Sequence, residues 1–220
     1  MILSSKTLYS FVGIFVSVCI LFAIFSFSYS NEVNTKTPLT EPIEIKFDDI
    51  IFSTSTNPKY KIIIYTDLDC IHCKETHQLL EERKNNLNHM DIYIRNIAFI
   101  VGGKSSVKTL YGQCVNRISG NNVWLEYESL AYKSFEIKDN EHFKNIALSL
   151  VAKKNKEFIE CIKSEKEINL VKSKRMDAIV KGVQYIPTIY INDNNSMIKK
   201  IDTYNAKSII KYLEYINNKE

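Results

Sequence analysis

The sequence predicts an α/β protein in which a βαβ unit and a ββα unit are separated by a block of helices. Two β-branched, apolar runs, "KYKIIIYTD" (59–67) and "MDIYIRNIAFI" (90–100), enclose a helical pattern. Residues 104–179 then show only helical spacing of apolar residues, and a hairpin and an amphipathic helix follow. Because parallel strands need a long crossover connection, we expect the two apolar runs to pair in parallel.

The elements of the βαβ unit are predicted from local patterns. The alternating segment Ile43–Phe47 indicates an edge strand that precedes the unit. The run 59–67 is apolar enough to be buried on both faces of a sheet. A helix is predicted from Cys70 to about Lys84, and it leads into the second strand.

The helical block and the ββα unit are predicted from caps and turns. Asn121, Asn140 and Asn155 are candidate N-caps of three of the helices. A further helical pattern over 167–183 is expected to stop at Gly182. The hairpin strands are predicted over 187–193 and 197–202, and the last helix over 205–218.

The composition indicates an ordinary globular chain and excludes one class of partner. Of the 220 residues, 45% are hydrophobic and 25% are charged, and the net charge is +4. The charges are spread along the chain without a basic stripe or an acidic tail. We therefore expect no nucleic-acid partner.

Residues 1–30 are predicted to be a targeting segment, either a signal peptide or an N-terminal membrane anchor. The run Leu8–Phe27 has no charged residue and matches the roughly 20 residues that span a bilayer. The small residues at Ser28 and Ser30 equally suit cleavage after Ser30. With Lys6 held inside, both interpretations export the rest of the chain to a periplasmic or other extracytoplasmic location, free or anchored to the inner membrane. Residues 31–48 are expected to be a linker.

The segment "DCIHC" (69–73) carries the chemistry that the sequence predicts. Cys70 follows a buried strand and opens a helix, so that backbone N–H groups and the helix dipole face its sulfur and lower its pKa. His72 adds a donor or a positive charge beside it. Cys73 lies one turn into the helix and should be more buried, as a resolving thiol is. A CxxC pair at this place in a βαβ unit predicts dithiol–disulfide exchange.

Other uses of the two cysteines are less well supported. Structural zinc takes four ligands, and beyond Cys70, Cys73 and His77 the chain has no second CxxC or HxxxH pair. Haem attachment needs CxxCH, and Lys74 stands at the histidine position. A structural disulfide over so short a loop would constrain the unfolded chain little. We therefore expect no bound metal and no cofactor, and His77 is expected to be an ordinary surface or half-buried residue.

Two stretches resemble the DsbA branch of the thioredoxin superfamily. "KIIIYTDLDCIHCKETH" is similar to that branch's strand and active-site segment, and "VKGVQYIPTIYIND" to its cis-proline signature. The resemblance runs from about Asp49 to the C-terminus. It implies a thioredoxin-like fold (βαβ…ββα), formed by residues 49–103 and 180–220, with an inserted all-helical domain at 104–179.

The resemblance also implies roles for particular residues. Cys70 would be the nucleophile and Cys73 the resolving thiol, with His72 tuning the pair. Ile186 and Pro187 would form the loop that faces the substrate, with Pro187 in the cis form that X–Pro bonds adopt readily. The departures from the branch are Ile71, where the best-known members have proline, and Ile64, where relatives often have a buried acid; Asp67 and Asp69 lie nearby.

Cys114 and Cys161 both fall in predicted helices of the insertion. As free thiols they would simply be core residues. In an exported domain a structural disulfide is favoured, and the resemblance supports the pairing because some DsbA relatives carry a second bridge in this domain.

The prediction for function is an exported thiol:disulfide oxidoreductase, foremost a DsbA-like oxidase. Its partners would be exported cysteine-containing proteins and a membrane-bound redox partner. Two alternatives remain open: a disulfide isomerase or reductase with the same chemistry, and a non-enzymatic metal carrier that uses Cys70, Cys73 and His77.

Overall fold

The structure is a computed structural model that describes residues 43–99, 105–193, 197–202 and 205–219. The predicted targeting segment, 1–30, and the linker up to residue 42 lie outside these ranges. Within them, no helix is both long and apolar enough to cross a membrane. The strands are β1 (Ile50–Ser53), β2 (Tyr60–Thr66), β3 (Met90–Asn96), β4 (Thr188–Asn192) and β5 (Met197–Asp202). The helices are α1 (Ile71–Arg83), α2 (Ser105–Ser119), α3 (Asn121–Lys133), α4 (Asn140–Leu150), α5 (Asn155–Lys163), α6 (Glu165–Val180) and α7 (Ala206–Asn217).

The five strands form one sheet in the order β1-β3-β2-β4-β5. Strands β2 and β3 pair in parallel, with Ile62 opposite Ile92, as the βαβ pattern predicted. The remaining pairs are antiparallel, and β4 and β5 form the predicted hairpin. Helices α2 to α6 lie in the chain between β3 and β4.

Strand β2 is the centre of the core because both of its faces are covered. Successive strand side chains point to opposite faces. Ile62 and Ile64 belong to a core that includes residues of α1 and α7, whereas Ile63 and Tyr65 belong to a core built with the helical block. All four side chains are fully buried, which confirms the expectation that this strand is covered on both sides.

The edge strand predicted at Ile43–Phe47 is wrong. The segment forms no strand, and the position beside β3 is taken by β1. Side chains bind its backbone instead: Asn192 Nδ2 donates to Ile43 O at 2.9 Å, and Arg95 Nη2 donates to Glu44 O at 2.8 Å. These two carbonyls are thus bound by side chains rather than by a neighbouring strand, and the chain continues through a turn to β1.

The predicted N-caps are displaced by one residue. Asn121, Asn140 and Asn155 are each the first helical residue, and the caps are Gly120, Asp139 and Lys154. The Asp139 side chain accepts the Glu141 N–H at 3.1 Å, as a capping carboxylate does. The Asn121 amide has a different role: it exchanges two 2.7 Å hydrogen bonds with the backbone of Ile51 in β1.

The end of α6 sets the direction of the chain towards the active site. Gly182, with φ of 78°, takes the left-handed conformation that glycine adopts at low cost. Its N–H donates to Ile179 O, and the Val183 N–H donates to Ala178 O, both at 2.9 Å. This is a Schellman motif, and it stops the helix at the predicted glycine.

Candidate active site

Cys70 is the N-cap of α1, at the point where the chain leaves β2. Its N–H donates to Asp67 O at 3.1 Å, and its carbonyl accepts the Lys74 N–H at 3.1 Å, which begins the helix. Its Sγ accepts the Cys73 N–H at 3.2 Å, as a side-chain cap does. Cys70 is 6% exposed and Cys73 is 0% exposed. The sulfur of Cys70 is therefore the one that a partner protein can approach.

The loop before β4 lies against the Cys70 sulfur. The Ile186–Pro187 peptide bond is cis. The Cys70 thiol donates to Ile186 O at 3.6 Å, so that the structure brings the two predicted segments together. Ile71 and Tyr185, the neighbours of these two residues in the chain, are 41% and 51% exposed. Each of the two segments that meet at the Cys70 sulfur therefore carries an exposed apolar side chain.

The pKa values of the two thiols are shifted in opposite directions. A hydrogen bond from the Cys73 thiol has the largest effect on Cys70 and lowers its pKa. The backbone N–H groups of Cys73 and His72 lower it further, against burial and the Asp67 carboxylate, so that the pKa of Cys70 lies below its ordinary value. Burial, followed by the interactions with Cys70, raises the pKa of Cys73 well above its ordinary value. Cys70 is therefore the more acidic thiol of the pair, and Cys73 is the one that holds its proton more strongly.

The His72 side chain points away from the interior. It is 41% exposed, and its Nδ1 lies 3.4 Å from Glu75 Oε2, one turn further along α1. The contribution of this residue to the low pKa of Cys70 comes from its backbone N–H. The tuning role proposed for the imidazole stays a prediction.

Titration of the reduced protein is expected to resolve the two thiols. The thiolate absorbance should show one midpoint below the roughly 8.5 of free cysteine and a second one well above it. Cys73→Ala should raise the first midpoint, because it removes the thiol donor. His72→Ala should raise it less, because alanine retains the backbone N–H. An effect of His72→Ala larger than that of Cys73→Ala would show that the imidazole is the main cause.

Asp67 is a part of the site whose role the sequence left open. Its carboxylate is fully buried and accepts the N–H groups of Asp69 and Phe99, both at 2.8 Å. Its carbonyl accepts the N–H of Cys70. Asp67 therefore joins the chain beyond β3 to the turn that carries the nucleophile, while Ile64, at the position of the acid in relatives, is a buried core residue.

The expectation for His77 is wrong, because this residue is buried. It is 5% exposed, and its Nδ1 lies 3.1 Å from Oε2 of Glu128, a fully buried residue of α3. The ring also lies 5.3 Å from that of Tyr132, centroid to centroid. Within the described residues, no group of three His, Cys, Asp or Glu side chains is arranged to hold a metal ion.

The His77–Glu128 pair predicts a dependence of stability on pH. Burial lowers the pKa of His77, but the Glu128 carboxylate and, more weakly, Glu81 raise it, and the net direction is upward. Tyr132 from α3 and Phe52 from β1 are the aromatic groups that face the ring. Because the pKa of His77 is raised in the folded state, the ion pair contributes fully to the free energy of unfolding below about pH 6.5, the pKa of histidine in the unfolded chain. This contribution is lost as the pH rises through the pKa of His77 in the folded protein.

We therefore expect the free energy of unfolding to fall over that interval, and His77→Gln to remove this fall. The variant should also lose about 3 kcal/mol at pH 6, because it leaves Glu128 buried without a counter-charge. Denaturant unfolding of both proteins from pH 5 to 9 is the measurement. Parallel pH profiles for the two would contradict the ion pair.

Cys114 and Cys161 form a disulfide that joins α2 to α5, across a sequence separation of 47. Cys114 is fully buried and Cys161 is partly buried. The bridge lies among the apolar residues of the helical core; Val115 directly follows Cys114, and Phe158 precedes Cys161 by three residues. Neither cysteine is at the start of a helix.

Comparison with known proteins gives the same fold. A sequence model described as thioredoxin matches residues 53–211. No curated protein matches the chain. The structure of α-DsbA1 from Wolbachia pipientis aligns with a TM-score of 0.65 at 18% identity, over 80% of this chain and 94% of that one. BdbD from Bacillus subtilis, in its oxidised form, aligns with a TM-score of 0.65 at 15% identity, over 81% and 97%. A periplasmic thioredoxin-like protein from Salmonella enterica serovar Typhimurium aligns with a TM-score of 0.56 at 14% identity, over 80% and 98%.

A thioredoxin-like sheet with a CxxC pair at the start of α1 defines the thiol–disulfide oxidoreductase class. The chain belongs to the thioredoxin family. The fold class predicted from the sequence, and the resemblance to the DsbA branch, are confirmed.

Proposed function

We propose that the protein is an exported DsbA-like oxidase that introduces disulfides into other exported proteins through Cys70 and Cys73. The observation that carries this proposal is the contrast between the two thiols. Cys70 has a lowered pKa and lies beside the Ile186–Pro187 loop, whereas Cys73 is fully buried and has a raised pKa. Stabilising the thiolate favours the reduced protein, and a protein whose reduced form is stable is an oxidant.

The first step is attack on the Cys70–Cys73 disulfide of the oxidised protein. A substrate thiolate bonds to Cys70 Sγ, and the bond between the two cysteine sulfurs breaks. Cys73 leaves with the electron pair and takes up a proton, in keeping with its raised pKa. A mixed disulfide between the substrate and Cys70 is the product of this step.

The second step releases the substrate. The second thiolate of the substrate attacks the substrate sulfur of the mixed disulfide, and Cys70 leaves as a thiolate. Because a thiol of low pKa is the better leaving group, the lowered pKa of Cys70 favours this step. Two electrons pass from the substrate dithiol to the protein, and we propose that a membrane-bound redox partner removes them.

The same contrast suits an oxidase, because a lowered pKa at the attacked sulfur destabilises the disulfide relative to the dithiol. The isomerase and reductase alternatives use the same chemistry, and the redox potential and the peptide assay distinguish them from an oxidase. The metal-carrier alternative needs His77 beside the cysteines, and that side chain lies against Glu128.

Export is supported by two observations. The segment Leu8–Phe27 has the character of a targeting sequence. The Cys114–Cys161 disulfide belongs to an oxidising compartment. A similar protein from Salmonella is described as periplasmic, and we propose the same kind of location here.

We further propose that residues 104–179 form a helical domain inserted into the thioredoxin-like one.

A direct test is the oxidation of a reduced dithiol peptide by the oxidised protein. We expect stoichiometric formation of the peptide disulfide and, with an added electron acceptor such as oxidised glutathione, turnover. If the protein instead catalysed the reduction of insulin by dithiothreitol and oxidised no peptide, it would belong to the reductases.

A further inference from the structure

Lys108 is the most unusual charged residue near the site, because its side chain is only 1% exposed. It lies in the first turns of α2. Its Nζ forms an ion pair with Asp69 Oδ1 and lies 4.1 Å from the centroid of the Phe143 ring in α4. Lysine is almost never buried so completely unless its charge is paired. The position of Asp69 therefore decides what this lysine does.

Asp69 is the residue directly before Cys70. Its side chain is 13% exposed, and its N–H donates to Asp67 Oδ1 at 2.8 Å. The Lys108 ammonium thus holds the short turn between the end of β2 and the nucleophile from the side of the helical block. At the other end of the residue, Lys108 O accepts the Tyr127 hydroxyl at 3.0 Å, which fixes the lysine to α3.

The charge of Asp69 would act on Cys70 if it were left alone. Neighbouring Cα atoms are about 3.8 Å apart, so the carboxylate lies within about one Debye length of the Cys70 sulfur. An anion at this range disfavours a thiolate, and burial weakens the screening. Asp67 already acts on Cys70 in this direction. Asp69 also acts on Tyr127. Burial is the main cause of the raised pKa of Tyr127, and the Asp69 carboxylate raises it further.

We propose that Lys108 is a positioning residue for Cys70: it holds the Asp67–Cys70 turn and cancels the charge of Asp69 beside the thiolate. The inference rests on the proposed function, since the acidity of Cys70 matters for a cysteine that exchanges disulfides. It makes the helical block part of the active site, because a residue of α2 sets the acidity of the cysteine that caps α1.

The test is a double-variant cycle on the reduced full-length protein, with the pKa of Cys70 read from the pH dependence of its alkylation rate. Lys108→Met should raise this pKa by about one unit, because it leaves Asp69 uncompensated. Asp69→Asn should lower it, because it leaves the ammonium alone. The double variant should return to within a few tenths of a unit of the parent. A purely structural lysine would change the unfolding midpoint and leave the three pKa values equal.

Two controls separate charge from folding. Lys108→Arg keeps the charge and should keep the pKa. Lys174→Met removes a partly buried lysine, 13% exposed, that forms an ion pair with Asp48, and it should leave the pKa of Cys70 unchanged. If Lys108→Met does not fold, Asp69→Asn and the double variant decide the matter. Equal pKa values in folded Asp69→Asn and parent would overturn the proposal, whether or not the parent oxidises the dithiol peptide.

Discussion

Replacing Cys70 with serine is expected to abolish disulfide transfer to a reduced test protein, with a loss in rate of about a thousandfold or more. Cys70 carries the only sulfur of the pair that a substrate thiolate can approach, since Cys73 is fully buried. Serine cannot form the disulfide that the substrate attacks. The measurement is the initial rate at which a reduced dithiol peptide is oxidised.

Cys73→Ser is the matched variant, and it should fail in a different way. Its Cys70 thiolate can attack a disulfide in a partner protein and release the partner's thiolate. No second thiol is present to resolve the resulting mixed disulfide. Non-reducing gels should therefore show covalent complexes with Cys73→Ser and none with Cys70→Ser. Full activity of Cys70→Ser would contradict the mechanism.

Removing the Cys114–Cys161 bridge is expected to have the second largest effect, on stability. The sequence separation of 47 between the cysteines corresponds to about 4 kcal/mol in the loop-entropy treatment. The double variant Cys114→Ala/Cys161→Ala should lose about that much free energy of unfolding and keep its turnover below its own unfolding transition. Denaturant unfolding and the peptide assay on the same preparation are the measurements.

The reason to expect unchanged turnover is the place of the bridge. It lies in the helical core, and neither cysteine has the helix N-terminal position that lowers the pKa of Cys70. Mild reduction followed by mass mapping should open Cys70–Cys73 first. A double variant that keeps its stability and loses its turnover would mean that the bridge relays electrons.

The parts of the site that could be predicted from the sequence depend on short stretches of chain. A CxxC after an apolar strand places Cys70 at a helix start whatever the rest of the fold does. Gly182 ends α6 for the local reason that its backbone is left-handed there. The hairpin before α7 follows equally from alternation and turn residues.

The errors come from contacts between distant parts of the chain. Alternation in Ile43–Phe47 is that of a strand, but Asn192 and Arg95 bind its backbone, and local patterns cannot reveal such partners. Asn121 has the right chemistry for a cap, yet its amide is held by β1.

The buried ion pairs were missed for the same reason, although each left a signal. Lys108 precedes the buried Tyr111 and Val115 by three and seven residues, on the apolar stripe of α2. His77 follows Cys73 by four residues and precedes Leu80 by three, on the buried face of α1. A charged or titratable residue on an apolar stripe predicts a buried partner but cannot identify it.

The central claim, that the contrast between the two thiols makes this protein an oxidant, is tested most directly by its redox potential. Equilibration of the Cys70–Cys73 pair with glutathione buffers, followed by alkylation and mass analysis, gives this value. We predict a potential near about −120 mV, that of a strongly oxidising pair. A potential near about −270 mV, that of a reductant, would contradict the claim.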